Sequence, residues 1–348
     1  MTMKDKIYIL SAKQISIQNP LSEEWMQQPI CYSEPYVRSL DPSFKEYVSP
    51  IEARRMGKIL KRAIATSKEA IKASGLETVD AIITGTGFGC IENTEFFLDA
   101  LCNEGEQLLK PTYFMQSTHN TISSLVAIQT KNHGYNVTYA HKSISFDSAL
   151  QDAWMQFRLG KIHSALVGGH DEMTPAFFDI LKKGKIFGQG RSICGEAAVS
   201  MVLSDESEIA WCAISGFKML YEPSMETLKT ALEKMLSDAG KQLSDIDAFV
   251  TGISGNPESD ALYLAEADAL FGGKPLLKYK HLFGESFTAS GLGLYVAACC
   301  LKQGEIPQHL FVNQNIAKIK KPQCLLLFNH SDGKNYSLTL LEKTCGDC

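Results

Sequence analysis

Apolar positions along this chain follow two alternating periods. Between residues 54 and 75, Met56, Ile59, Leu60, Ala63 and Ile64 recur at helical spacing, and Gly75 supplies a stop. Residues 79–84 form a short apolar run ending in Gly85-Thr-Gly-Phe-Gly89, which predicts a buried strand entering a glycine turn. A helix over 120–131 and a strand over Asn136, Val137, Thr138, Tyr139 and Ala140 follow. After a short loop the pattern predicts a helix over 147–159 capped by Gly160, a strand over 164–167 ended by Gly168-Gly169, and a strand over 197–203. The second part repeats the alternation. Strands are predicted over 209–218, 246–251, 324–328 and 336–341, helices over 224–240 and 260–270, and an alanine-rich helix within 284–302. The apolar residues 7–10 predict a first strand.

Strands that alternate with helices imply an α/β fold with mostly parallel strands. A change of register near Glu206 divides the chain into two similar halves, 1–205 and 206–348. No low-complexity linker separates them, so they should pack as one body. The 348 residues are 45 % hydrophobic and 21 % charged, which permits a large core. The net charge of −5 lacks the basic balance that nucleic-acid binding needs. No run of roughly 18 apolar residues predicts a membrane span, and residues 7–10 are too short for a signal-peptide core. The expectation is a soluble cytoplasmic protein. Ten cysteines are scattered, and only Cys345 and Cys348 have Cys-x-x-Cys spacing. A lone pair falls short of a zinc site, so no metal and no other cofactor is expected. Cys299-Cys300, inside an apolar helical stretch, is predicted to be core.

Five segments carry a resemblance. Ser143 follows the strand 136–140. Ala149-Leu150 lies in the next helix, Gly160 stands 17 positions after Ser143, and Gly168-Gly169 stand 25 and 26 after it. Further along come Gly195-Glu-Ala-Ala-Val-Ser-Met-Val-Leu203, then Gly252-Ile-Ser-Gly-Asn-Pro-Glu-Ser-Asp260 with its helix. Lys280 to Gly291 and Gly333-Lys-Asn335 follow. In this order and register they resemble the β-ketoacyl synthases of the thiolase superfamily. The resemblance implies a thiolase-like fold, two similar α/β halves in a five-layered α-β-α-β-α arrangement. It places Ser143 at the family's cysteine, Gly252 at its first histidine, Glu285 at its second, Lys280 at its lysine, and Ser331 at the phenylalanine gate. The strand of Asn136, Val137, Thr138, Tyr139 and Ala140 corresponds to the family's dimer strand.

A condensing synthase holds its acyl chain on a thiolate and uses two imidazoles in decarboxylation and enolate stabilisation. Glycine has no group to donate, and an ionised Glu285 is acceptor-only. A Lys280–Glu285 ion pair accounts for both residues without catalysis. Ser143 is a poor nucleophile without an activating base. His141 falls on or just after the strand, His119 belongs to a loop near the dimer face, and His170 follows Gly168-Gly169 where the family has a polar turn. The chain thus resembles the chain-length factors, family members that lost the nucleophile and pair with an active synthase in polyketide, aryl polyene and related pathways. That resemblance implies a homologous synthase, or a second copy, as partner, with an acyl carrier protein as a further one. The alternatives are an acyltransferase or 3-oxoacyl-carrier-protein synthase-like enzyme using Ser143, and a condensing enzyme with replaced machinery.

Overall fold

The computed structural model describes residues 6–106, 109–206, 208–313, 315–316 and 318–344. Ten strands build the main sheet: β1 (Ile7–Ile15), β2 (Ala81–Gly85), β3 (Tyr135–Tyr139), β4 (Ser164–Asp171), β5 (Ala197–Ser204), β6 (Cys212–Tyr221), β7 (Ala248–Thr251), β8 (Leu276–Lys278), β9 (Cys324–Ser331) and β10 (Asn335–Glu342). Their order is β8-β7-β9-β10-β6-β1-β5-β4-β2-β3. The first five strands in sequence give β3-β2-β4-β5-β1 and the last five give β8-β7-β9-β10-β6, so each strand has a counterpart five places on. The pairing senses repeat as well. β2 runs parallel to β3 and β4, and β7 parallel to β8 and β9. The remaining neighbours within each set are antiparallel. The repeat that residue identities conceal is therefore topological. The two sets are not wholly separate, because Ile7–Ile9 of β1 pair with Cys212–Ile214 of β6 and carry the hydrogen-bond ladder across.

Helices α1 (Lys58–Ala73) and α2 (Thr121–Thr130) cover the outer face of the first set, and α4 (Met225–Asp238) and α5 (Pro257–Leu270) that of the second. Between the sets lie α3 (Ser145–Arg158) and α6 (Ala289–Gln303), each touching strands of both. This gives the five layers the resemblance implies. Thirteen of the fifteen α6 residues are buried, Cys299 and Cys300 among them. A helix apolar on every side belongs inside, which is why its sequence shows alanine richness rather than a stripe.

Several boundaries differ from expectation. β1 runs on to Ile15, α3 starts at Ser145, and β3 takes in Tyr135 but not Ala140. β4 continues through His170 to Asp171, so His170 lies in a buried strand and not in a turn. Three helices of seven or more residues escaped the pattern: Ile91–Glu104, Pro111–Ser117 and Pro175–Lys183. The first two zip together through Phe96–Tyr113 and Phe97–Phe114, both with ring centroids 5.4 Å apart. They leave Phe96, Leu98, Phe114 and Met115 exposed, so no apolar face marked them in the sequence. No helix among the described residues is long and apolar enough to cross a membrane, and none of their His, Cys, Asp and Glu residues cluster as a metal site. Cys345 and Cys348 lie outside the described residues.

Candidate functional site

The turn between β3 and α3 presents Ser143. Lys142 takes a left-handed φ of 49°, uncommon for a non-glycine residue and here forced by the tight turn. Ser145 braces that turn: its Oγ donates to the Lys142 carbonyl at 2.7 Å and accepts the His141 N–H at 2.8 Å. Ser143 is thereby held at the head of a buried helix, half-exposed to a small polar cavity of about 70 Å³. Ligand pockets for drug-sized molecules are several-fold larger, so this space suits waters rather than an acyl chain.

The cavity brings together Ser143, Lys280, Glu285 and Ser331. Lys280 Nζ lies 2.8 Å from Glu285 Oε2, and both side chains are largely buried. Burial pushes the Glu285 carboxyl up, and the neighbouring Lys280 opposes that shift. The segment is fixed from two sides. Glu285 N–H donates to Ile193 O at 2.7 Å, and Glu285 O accepts the Gly195 N–H at 3.1 Å.

Gly252 does not reach the cavity wall. A Cβ built there would collide with the Tyr263 hydroxyl and come within 3.1 Å of Asn329 Oδ1. Tyr263 projects from α5, stacks on His330 with centroids 3.8 Å apart, and accepts the His330 N–H at 2.9 Å. The room that an imidazole at 252 would need is filled by a phenol from the next helix.

Sequence reasoning missed three residues of this site. Asp147 lies one helical turn after Ser143, is buried, lines the cavity, and accepts from Ser290 Oγ at 2.8 Å. Burial raises its carboxyl, while hydroxyl donors and Lys280 counter the rise. An acid at an otherwise apolar helical face was its signal. Asn329 and His330 sit side by side on β9. Asn329 Oδ1 accepts from Tyr279 Oη at 3.0 Å, whereas its buried Nδ2 has no partner among the described residues. His330 is the cavity's one described imidazole. Its Nδ1 accepts the Gly333 N–H at 3.4 Å, and its Nε2 lies 3.8 Å from Glu266 Oε2. Burial pulls its pKa down to about 3, so it is neutral at pH 7. Glu266, whose carboxyl burial pushes up to about 7, also accepts from Tyr336 Oη at 2.5 Å. His330 thus belongs to a Tyr263–Glu266–Tyr336 cluster and makes no hydrogen bond to Ser143. His141 Nδ1 meets Ser148 Oγ at 3.2 Å, and His119 is exposed.

The hairpin that carries Ser331 is locked. Ser331 pairs with Asn335 across a tight hairpin, with Asp332 and Gly333 at φ 53° and 64° and Lys334 N–H donating to Ser331 O at 3.0 Å. Short hairpins of this kind need left-handed residues at the tip. Nearby, Asp171 Oδ1 accepts from Thr86 Oγ1 and from the Gly87 and Phe88 N–H groups at 2.8–3.1 Å, pinning the glycine turn after β2. Gly87 is required there because a Cβ would strike Phe287.

Strand β3 forms one end of the sheet. At the other end β8 is partly covered, with Leu277 bridging Phe311 and Val312 N–H donating to Leu276 O at 2.9 Å. The outer edge of β3 has no such cover among the described residues. Asn136 and Thr138 face α2, where they bond to Ser123. Tyr139 packs toward the central layer. Apolar side chains stand exposed around this edge: Tyr135 on β3 itself, Ile128 on α2, and Met155 on α3.

Comparison with known proteins agrees with this architecture. A family model, the β-ketoacyl synthase N-terminal domain, matches residues 23–251. The ishigamide ketosynthase/chain length factor superposes with a TM-score of 0.80 at 16 % identity, over 98 % of this chain and 100 % of that one. A type II polyketide synthase acyl-carrier protein in complex with its ketosynthase gives 0.78 at 14 %, and a β-ketoacyl synthase from Burkholderia phymatum STM815 gives 0.76 at 15 %, each over the same shares of the chains. No curated protein sequence matches. Identities this low speak for the fold alone, but the family model spans well over half of the residues, and on that ground the chain belongs to the β-ketoacyl synthase family.

Proposed function

We propose that this chain is a non-condensing, chain-length-factor-type subunit that pairs with an active β-ketoacyl synthase. One observation carries the reading: the place where a synthase needs a thiolate and two imidazoles is built from Ser143, a Gly252 pressed against Tyr263, and a Glu285 bound to Lys280. An enolate oxygen developing there finds no imidazole donor, and faces the Asp147 and Glu285 carboxyls, with the one lysine, Lys280, already bound to Glu285. The uncovered β3 edge supports the pairing, since an unpaired strand flanked by apolar side chains is an aggregation hazard unless a partner covers it. The partner's site supplies the chemistry, and this subunit supplies part of the wall around the growing chain. The synthase is a homologue that keeps Cys-His-His; pairing of two copies through β3 is the homodimeric form of the same surface. An obligate interface of this type buries more than about 2,000 Å². Polyketide or aryl polyene assembly is the setting that fits, and carrier proteins deliver its substrates.

The test is co-expression with a Cys-His-His synthase from the same genome. The two chains are expected to co-purify, and Val137→Lys on β3 to separate them. Intact-mass analysis after incubation with an acyl-carrier-protein thioester is expected to leave this chain unmodified. A stable acyl adduct on Ser143 would instead favour a serine-dependent acyltransferase. A chain that stays monomeric with that synthase would remove the basis for the pairing.

A further inference from the structure

The helices Ile91–Glu104 and Pro111–Ser117 sit on the body with little apolar anchorage. Of the fourteen residues of the first only Ile91 and Asn93 are buried, and none of the second is. An element that buries so little draws its local stability from its polar contacts. Those described gather at the start of the first helix and the end of the second. Asn93 Nδ2 donates to Gln116 Oε1 at 3.0 Å, and Gln116 Oε1 also accepts the Gly57 N–H at 3.2 Å. The Gln116 amide donates to the Arg55 carbonyl, and Thr174 Oγ1 donates to the Glu95 carboxylate. The deepest contact is Glu172, 2 % exposed, directly after β4. Its Oε1 accepts the Glu92 N–H and its Oε2 the Ile59 N–H, both at 3.1 Å. One buried carboxyl thus caps the first turn of two helices. One is α1, with ten of its sixteen residues buried, and the other is the nearly unburied Ile91–Glu104.

The Glu172 carboxyl stands among acids. Facing it are Arg62 from α1, Glu92 from the helix it caps, Glu196 from the segment entering β5, and the Cys90 thiol, itself pushed up by burial. Arg62 is already shared. Its guanidinium lies 2.5 and 3.1 Å from the two Asp41 oxygens and 3.1 Å from Glu196. Asp171, the preceding residue, turns its carboxyl to the glycine turn after β2. One arginine therefore serves Asp41, Glu172 and Glu196, and a bound proton relieves the excess negative charge. Burial pushes the Glu172 carboxyl up to about 7, with Glu92 and Glu196 adding to the rise and the Glu92 N–H and Arg62 opposing it.

We propose that Glu172 is a proton-operated pin: protonated, it keeps the Ile91–Glu104 and Pro111–Ser117 pair seated against α1, and on losing the proton it lets the pair open locally. The sign follows from linkage. The seated state binds the proton more tightly than an open state whose carboxyl is hydrated and titrates at about 4.3. Seating is therefore favoured at low pH and weakens as pH climbs through about 7. Opening re-aims Phe96, Leu98, Phe114 and Met115, which the pair carries exposed. Neither the pin nor its test depends on the synthase.

The experiment is hydrogen exchange of the full chain alone between about pH 6 and pH 8, read by mass spectrometry on peptides within 91–104 and 111–117 and corrected for intrinsic exchange. Opening is expected to rise about tenfold over that range, the factor linkage gives for a carboxyl that titrates at about 4.3 when open and about 7 when seated. Helix α6 is expected to show no such rise. Glu172→Gln, which keeps one acceptor and never ionises, is expected to remove the response. Glu92→Gln, at the half-buried neighbour, is expected to keep the response with a lower midpoint, and it carries the test if the first variant does not fold. Opening of the pair that does not change with pH, an equal rise in α6, or an unchanged response in Glu172→Gln would overturn the proposal.

Discussion

Among single residues, Gly252 and Glu285 decide most. Ser143→Cys supplies a thiol, but Gly252 and Glu285 still offer no imidazole, and loss of one oxyanion donor typically costs about 10²–10³ in rate. No condensation is expected from that variant in a carrier-protein assay, and turnover would mean that the histidine positions are misassigned. Adding Gly252→His is expected to destabilise the chain, because the new side chain meets Tyr263 and Asn329; a fall in melting temperature beyond that of Ser143→Cys checks this. Lys280→Met removes the counterion of a largely buried carboxylate. A cost of about 3 kcal/mol is expected in urea unfolding, and Lys280→Met/Glu285→Gln is expected to recover part of it. Ser143, Gly252 and Glu285 were legible as letters at the positions the resemblance singles out. Their surroundings were not, since the residue that crowds Gly252, Tyr263, comes from a helix whose role no local pattern announces.

Elements were legible where their period was clean. α1, α4 and the strand bearing Phe249 and Val250 fall where apolar spacing puts them. The central helix Ala289–Gln303 was recognisable in place, and its Cys299-Cys300 as core, but not the strands on either side of it, because a helix buried all round has no polar face to set its phase. The Ile91–Glu104 and Pro111–Ser117 pair was invisible for the opposite reason: its apolar residues point outward. β9 carries a prediction of its own. Glu266, beside His330, Tyr263 and Tyr336, has its pKa raised to about 7 by burial. A carboxyl raised in the folded state contributes stability at low pH that is lost as pH climbs from its unfolded value, about 4, through 7. Melting temperatures of the parent relative to Glu266→Gln are therefore expected to fall between about pH 5 and pH 8. A constant difference across that range would place the proton elsewhere in the cluster.

At the level of the whole molecule, a fivefold strand series occurs twice, and the two series face each other across α3 and α6. The sequence pattern showed two series of strands and helices, but their equivalence lies in strand order and direction, which only long-range pairing fixes. The doubled architecture leaves one edge, β3, without cover among the described residues, and puts the polar site directly behind it through the turn at Lys142. The proposed pairing would place that edge in an interface and leave the chemistry to the synthase. Condensation by the assembled pair measures that claim most directly. A Cys-His-His synthase is combined with the parent chain, with Ser143→Ala or with Val137→Lys, and malonyl-dependent product is followed on carrier protein. Turnover is expected to be the same with Ser143→Ala as with the parent, to fall with Val137→Lys, and to be absent from this chain alone. Turnover by this chain without the synthase, abolished by Ser143→Ala, would contradict the account.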